Sequence, residues 1–205
     1  MAPGTVAAGD GRTDRRLLRS RRAICDACLD LVQEGVLQPS ADQVAERAGL
    51  SRRSIFYHFR DLAELYDAVV EAGMQRCAPL LREVPATLPL EARVAQMAEV
   101  RARFFEATAP FARALAAQSL VGAGREQARR VAREALAAQR ADVARVFAPE
   151  LDGLAPAARA ERLEALAAAA SAPTWEMLRR SRGLSVARAR AVVARTLSAL
   201  LAARA

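Results

Sequence analysis

Two adjacent arginines, Arg52 and Arg53, stand in a run with Ser51, Ser54, Tyr57 and His58, a set of side chains suited to gripping a nucleic acid. A guanidinium can bond a guanine edge through two parallel donors, while hydroxyl, phenol and imidazole groups reach phosphate oxygens and fix register on a duplex. At 100° per residue, Arg53, Ser54 and Tyr57 fall away from the apolar pair Ile55 and Phe59, with His58 at its edge and Arg52 in the first turn. One face of such a helix is buried and the other is free to enter a major groove.

The elements that must position this face are written just upstream. Ser40 followed three residues later by Gln43 is a capping-box start, hydroxyl and amide each satisfying an orphan backbone N–H. The helix opened there turns Val44, Ala45 and Ala48 to one side, and Gly49 supplies the left-handed residue that ends it. Ser51 then caps the second helix. A turn this short sets two helices at a steep angle and needs a small residue where they cross, which Ala45 provides. The pattern predicts a helix-turn-helix whose DNA-facing residues are Ser40, Ser51, Arg52, Arg53, Ser54, Tyr57, His58 and Arg60.

The run AERAGLSRRSIFYHFRDLAEL, from Ala45 to Leu65, resembles the DNA-binding signature of the tetracycline-repressor (TetR) family. The likeness is dense from Ile24 to Val70 and rests beyond that on length and helix pattern. Two positions depart from it: Phe56 stands where the family usually has a phosphate-binding tyrosine, and Leu62 where many members have a phosphate-binding lysine. Arg60 is the nearest substitute charge. The resemblance implies about nine helices, four in a DNA-binding domain and five in a second domain, and a homodimeric, ligand-responsive regulator, most often a repressor.

A chain of 205 residues, 53% of them apolar, can bury a substantial core. The formal charge of +8 is spread along its length, so net charge alone says little about a polyanionic partner. Local clustering says more: Gly11 to Arg22 holds six arginines against Asp14 alone. These read either as a solvated face or as an arm that follows the phosphate backbone. No apolar run approaches a membrane span, and the first residues lack a signal-peptide pattern, so a cytoplasmic location is expected. Cys25 and Cys28 form a CxxC inside a helical pattern, without a second ligand pair, and read as small buried apolar residues. No metal and no cofactor is expected, and the absence of a phosphate-cradling glycine loop, a nucleophile elbow and paired catalytic carboxylates leaves nothing for an enzyme to use.

In order along the chain, residues 1–12 read as a disordered tail, residues 13–82 as the DNA-binding domain, and residues 83–205 as an effector-binding and dimerisation domain. The first helix is expected over 13–34, ended by Gly35, with Ile24, Ala27, Cys28 and Leu31 facing the core. Asp61 and Glu64 open a fourth helix with Leu62, Leu65, Tyr66 and Val69 on its stripe. Later helices are expected near 89–107, 110–120, 124–147, 156–182 and 185–203, separated by Pro110, by Gly122 and Gly124, by Pro149 to Pro156, and by Gly183.

The last two helices carry apolar stripes, and Leu166, Ala170, Trp175, Val193, Leu197 and Leu200 are the expected dimer-interface residues. An internal core helix is the alternative reading. On the helix after Pro89, Arg101 falls in the middle of an apolar face. It either pairs internally with an acid such as Asp142, sends its head past the stem to solvent, or holds the anionic or strongly polar end of an otherwise apolar effector. On the last reading the effector site comprises Met97, Arg101, Phe104, Phe105, Phe111, Gln139 and Phe147. The functional expectation is an all-α, homodimeric repressor released from a palindromic DNA operator by a small molecule. The alternatives are an architectural DNA-binding protein without ligand input and a helical interaction scaffold.

Overall fold

The computed structural model describes residues 10–120 and 125–203, and among these every regular element is helical. In order they are α1 (Asp10–Gln33), α2 (Ala41–Ala48), α3 (Arg52–His58), α4 (Leu62–Cys77), α5 (Leu90–Leu120), α6 (Arg125–Val146), α7 (Ala148–Leu151), α8 (Pro156–Ala169), α9 (Ala172–Glu176) and α10 (Val186–Ala202). No described helix is long and apolar enough to cross a membrane.

The capping chemistry behaves as the side chains dictate. Ser40 Oγ accepts from the Gln43 N–H at 3.3 Å while Gln43 Oε1 accepts from the Ser40 N–H at 2.9 Å, the reciprocal pair that opens α2. Gly49 closes it at φ 65°, its N–H and that of Leu50 reaching back to Glu46 and Ala45 carbonyls. A Cβ built on Gly49 meets nothing within 4 Å, so only the backbone demands glycine there. Gly49→Ala is therefore expected to destabilise the chain by about 1 kcal/mol, the left-handed penalty less the entropy an alanine removes from the unfolded chain. Urea unfolding measures it, and an unchanged midpoint contradicts the role given to this glycine. Ser51 caps α3 through the Ser54 N–H, and Asp61 caps α4 through the Glu64 N–H at 2.9 Å.

The described residues form two compact units, one taking the chain to Gln75 together with Pro110–Ala128, the other Arg76–Ala109 and the chain from Arg129 on. This differs from a single cut near residue 82. The first unit is built on Ile24, Cys28, Leu29, Val44, Ile55, Phe59 and Leu65, all buried, with Leu62 and Phe111 packed against them. Tyr66 on α4 donates its hydroxyl to the Pro39 carbonyl at 2.8 Å, tying α4 to the entry of α2. The second unit is built on Met97, Phe105, Val143, Phe147, Leu166, Trp175 and Leu197.

Three element boundaries differ from those expected. α1 begins at Asp10, ahead of Thr13, while residues 1–9 of the expected tail, like the expected break at Gly122 and Gly124, lie outside the described residues. Pro110 does not divide α5. Proline costs a helix one N–H and the bond to the carbonyl four residues back, here Glu106. Phe105 before it and Ala114 after it are both buried, and packing on both sides holds the helix together. The helix expected over 156–182 is instead interrupted at Ala170 and Ser171. Pro173 cannot donate to Ala169, and Ser171 caps a fresh start through the Thr174 N–H at 3.4 Å while its own hydroxyl donates to Ala168 at 2.8 Å. Past Glu176 the chain widens into an i→i+5 turn, Arg182 N–H to the Met177 carbonyl at 3.0 Å.

Candidate nucleic-acid interface

Ile55 and Phe59 are fully enclosed, which turns the remaining residues of α3 outward. Arg52, Arg53 and Tyr57 are exposed, Tyr57 to 73%, while Ser54 and His58 are half-buried at the edge. Among the described residues, Arg53 has no ion-pair or hydrogen-bond partner. Its neighbour Arg52 is engaged, Nη1 bonding Asp42 on α2 at 2.8 Å and the guanidinium lying 5.7 Å from the centre of the Phe56 ring. The two arginines that the sequence treats alike thus differ: one braces α3 against α2, the other is available.

Ser51, Arg53, Ser54, Tyr57 and His58 line a common open notch of about 500 Å³ with Arg16, Leu17 and Ser20 of α1. Arg16 is exposed there. Two positive side chains, three hydroxyl-bearing serines and a phenol facing one hollow are the complement of a phosphate-lined groove edge. Tyr57 and His58 meet edge to face with ring centres 5.2 Å apart. Partial burial, and then the nearby Arg21 charge, lower the His58 pKa, so its imidazole is neutral at physiological pH and offers one N–H donor.

Behind this surface lies a clamp that the sequence does not reveal. Arg21 of α1 donates to the His58 carbonyl at the end of α3, and to Glu64 of α4 at 3.3 Å, with its guanidinium 4.2 Å from the centre of the Phe59 ring. Glu64 also accepts from the Arg60 N–H at 2.9 Å, and that bond, followed by the Arg21 contacts, holds its carboxyl below the usual range. A cation at a helix C-terminus favours the dipole. Arg21 therefore belongs to the scaffold of α3 and not to the exposed basic arm. Arg60 extends into solvent with Asp61 3.6 Å away, Ser40 is exposed at the start of α2, and Leu62 faces the core. Cys25 and Cys28 are buried free thiols, and burial pushes their pKa values up to about 11 and about 12.

In the second unit, Met97, Phe105 and Phe147 are enclosed in the core, Phe104 packs at its margin, and Arg101 is buried with its Nη2 3.0 Å from Asp142. Gln139 is half-buried on α6. Phe111 lies apart from this group, in the core of the first unit. It is removed from the effector set because α5 carries it past Pro110. The residues expected at a dimer interface also move: Leu166, Ala170, Trp175, Val193 and Leu197 are all buried within their own chain, and Leu200 is half-buried. Trp175 spends its indole N–H on Glu106 at 2.8 Å and its ring lies 6.4 Å from Phe105. These side chains hold one chain together and leave other positions of α8 and α10 to face outward.

Comparison with known proteins finds relatives for the helix-turn-helix segment. The profile described as "Bacterial regulatory proteins, tetR family" matches residues 31–69, from the end of α1 into α4. The chain is 30% identical over 79 residues to the HTH-type transcriptional regulator AcrR of Shigella flexneri, 38% of this chain and 37% of that protein.

Residues 31–69 match the tetR-family domain.

The match to AcrR spans 37% of that relative's length. The TetR fold extends further than the matched segment. A TetR-family transcriptional regulator from Streptomyces coelicolor superposes with a TM-score of 0.65 at 21% identity, covering 89% of this chain and 80% of that one. A transcriptional regulator from Rhodococcus sp. Rha1 does so with a TM-score of 0.62 at 18% identity, over 90% and 95%. The helix-turn-helix lies inside the profile match, and Arg16, Leu17 and Ser20 of the notch lie ahead of it.

Proposed function

We propose that this protein is a homodimeric transcriptional repressor that binds an inverted-repeat DNA operator through α3 and leaves it when a small molecule occupies the second unit. The observation that carries the reading is Arg53: unpaired, exposed, and projecting from a helix capped at Ser51 and clamped at His58, beside a notch shared with Arg16. Rigid support behind a free guanidinium is what base readout requires. Ser51, Ser54, Tyr57 and His58 contact phosphates around it, Ser40 and Arg60 lie at the margins, and Arg52 contributes by holding α2 and α3 in register.

A helix of seven residues reads too few base pairs for useful selectivity, whereas a two-fold dimer reads two half-sites. The dimer face is assigned to the outward side of α10. There Ala191, Val192, Ala199 and Ala202 are exposed, Val192 to 40%, with the exposed Ala160 and Ala168 on α8 as small apolar companions. Small residues allow close approach of helices, as in a four-helix interface. Ala199→Arg is expected to sediment as a monomer with unchanged helicity and to bind the inverted repeat about 10²-fold more weakly. A wild-type monomer at micromolar concentration contradicts the proposal. A charge at Leu197, fully enclosed, tests only the chain's own core.

The effector site is assigned to the second unit, around Met97, Arg101, Phe104, Phe105, Gln139 and Phe147, an apolar setting that holds the buried guanidinium of Arg101. Release requires that the ligand favour an arrangement in which the two recognition helices no longer match successive major grooves. Thermal stabilisation and operator release measured together on a compound panel test this part.

A further inference from the structure

Arg52, Arg53, Phe56 and Tyr57 are the exposed side chains of α3, and Phe56 is the one among them with no polar atom. It is 40% exposed, although Ile55 and Phe59 on the same helix are fully enclosed, so the phenyl group stays at the surface beside a closed core. The ring is also held there. The Arg52 guanidinium lies over it, 5.7 Å from its centre, and is itself fixed by Asp42 of α2 at 2.8 Å. A cation over a ring face is attracted by the ring quadrupole, which keeps the phenyl group on the side of α3 that faces α2.

Phe56 follows Arg53 by one turn. Three residues advance about 4.5 Å along the helix axis and return to within about 60° of the starting direction. A base pair rises about 3.4 Å, so with α3 in a major groove the ring falls about one or two base pairs from the one Arg53 reads.

What a phenyl ring can recognise there is narrow. Lacking a hydroxyl, it makes no hydrogen bond to a phosphate oxygen. In the major groove guanine, adenine and cytosine present acceptors and donors, and thymine alone adds a 5-methyl group. A ring laid on a polar edge takes water from it and gives no bond in return, whereas a ring laid on a methyl group removes apolar surface of both from water.

We propose that Phe56 reads one thymine in each half-site through its 5-methyl group, about one or two base pairs from the position read by Arg53. This rests on the reading of α3 as the recognition helix and gives it a second base-determining residue, one that packs where Arg53 hydrogen-bonds.

The test removes the methyl group from the DNA. The full wild-type chain is titrated against the inverted repeat it selects, with each thymine in turn replaced by deoxyuridine in both half-sites. Base pairing and every hydrogen-bonding group are kept. One replacement, about one or two base pairs from the position that becomes degenerate in Arg53→Ala, is expected to weaken binding about fourfold per half-site, the worth of one buried methyl group, and about 15-fold in the symmetric duplex. Phe56→Ala is expected to bind the thymine and deoxyuridine duplexes within about twofold of each other. Phe56→Leu keeps an apolar side chain over the core and guards against a loss of fold in the alanine variant; there the 15-fold penalty is expected to fall to about fourfold.

A wild type indifferent to every replacement, a selected half-site with no thymine near the Arg53 position, or an undiminished penalty in either folded variant overturns the proposal. If an inverted repeat is selected and Arg53→Ala relaxes it, but no methyl dependence is found, Phe56 alone is removed from base readout and the DNA-reading conclusion stands. Absence of any selected sequence removes both.

Discussion

Glu150→Ala is expected to lower the stability of the chain by about 3 kcal/mol, the low end of what breaking a buried ion pair costs. Arg93 is the reason. Its side chain is 5% exposed and sits between the start of α5 and the end of α6, with Glu150 accepting at 2.7 Å and 2.5 Å through its two oxygens. The same guanidinium donates to the Leu88 carbonyl at 2.9 Å and to the Val146 carbonyl, the last of α6, at 2.8 Å, and lies 5.8 Å from the centre of the Phe147 ring. Removing the carboxylate leaves a buried cation with only neutral acceptors. Those acceptors hold the cost at the low end. For a chain of this size the loss corresponds to about 6 to 12 °C in Tm. Pairing Glu150→Leu with Arg93→Met removes both charges, and that double variant is expected to lose less than Glu150→Ala alone. A single-variant loss below about 1 kcal/mol would mean that solvent reaches the pair and that it does not anchor α5 to α7.

Arg53→Ala is expected to weaken binding to the cognate operator by about 1 to 3 kcal/mol per half-site and to relax base preference at the position it reads. Two other arginines provide the contrast. Arg52 is committed to Asp42, so its removal loosens the α2–α3 brace and should weaken binding without changing which base is preferred. Arg16, exposed across the notch, should behave as a phosphate ligand: Arg16→Ala lowers affinity for all sequences alike and reduces the salt slope by about one for each phosphate no longer neutralised. Competition titrations over several salt concentrations separate the three. Equal loss of preference in all three variants would mean that the arginines act only through the field of the domain.

How much of this was legible in the sequence depended on how local the determining physics was. The starts of α2, α3 and α4 and the end of α2 were readable because a cap is decided within three or four residues, as Ser40 with Gln43, Gly49, Ser51 and Asp61 show. The buried stripes of α1 and α3 were readable from periodicity. What periodicity does not say is what covers a stripe. Leu166, Val193 and Leu197 read as apolar in the right spacing for a partner chain, and their own chain covers them. Pro110 carries the strongest local signal for a break, and packing at Phe105 and Ala114 overrides it. The signal that does break the later helix, Ser171 ahead of Pro173, was present and is the same capping chemistry as at Ser40. Within the site, the helix-turn-helix was visible, but the division of labour between Arg52 and Arg53 was not, because it depends on where Asp42 falls across the turn. The Arg21–Glu64 clamp joins residues 43 apart and has no local signature.

The central claim is that α3 reads bases as part of a two-fold pair. Selection of bound sequences from a pool of randomised duplex DNA, run with wild type and Arg53→Ala in parallel, tests it most directly. The expected result is an enriched inverted repeat for the wild type and, for the variant, the same repeat with one position in each half-site degenerate. Absence of any enriched sequence for the wild type, or a variant motif identical at every position, would contradict it.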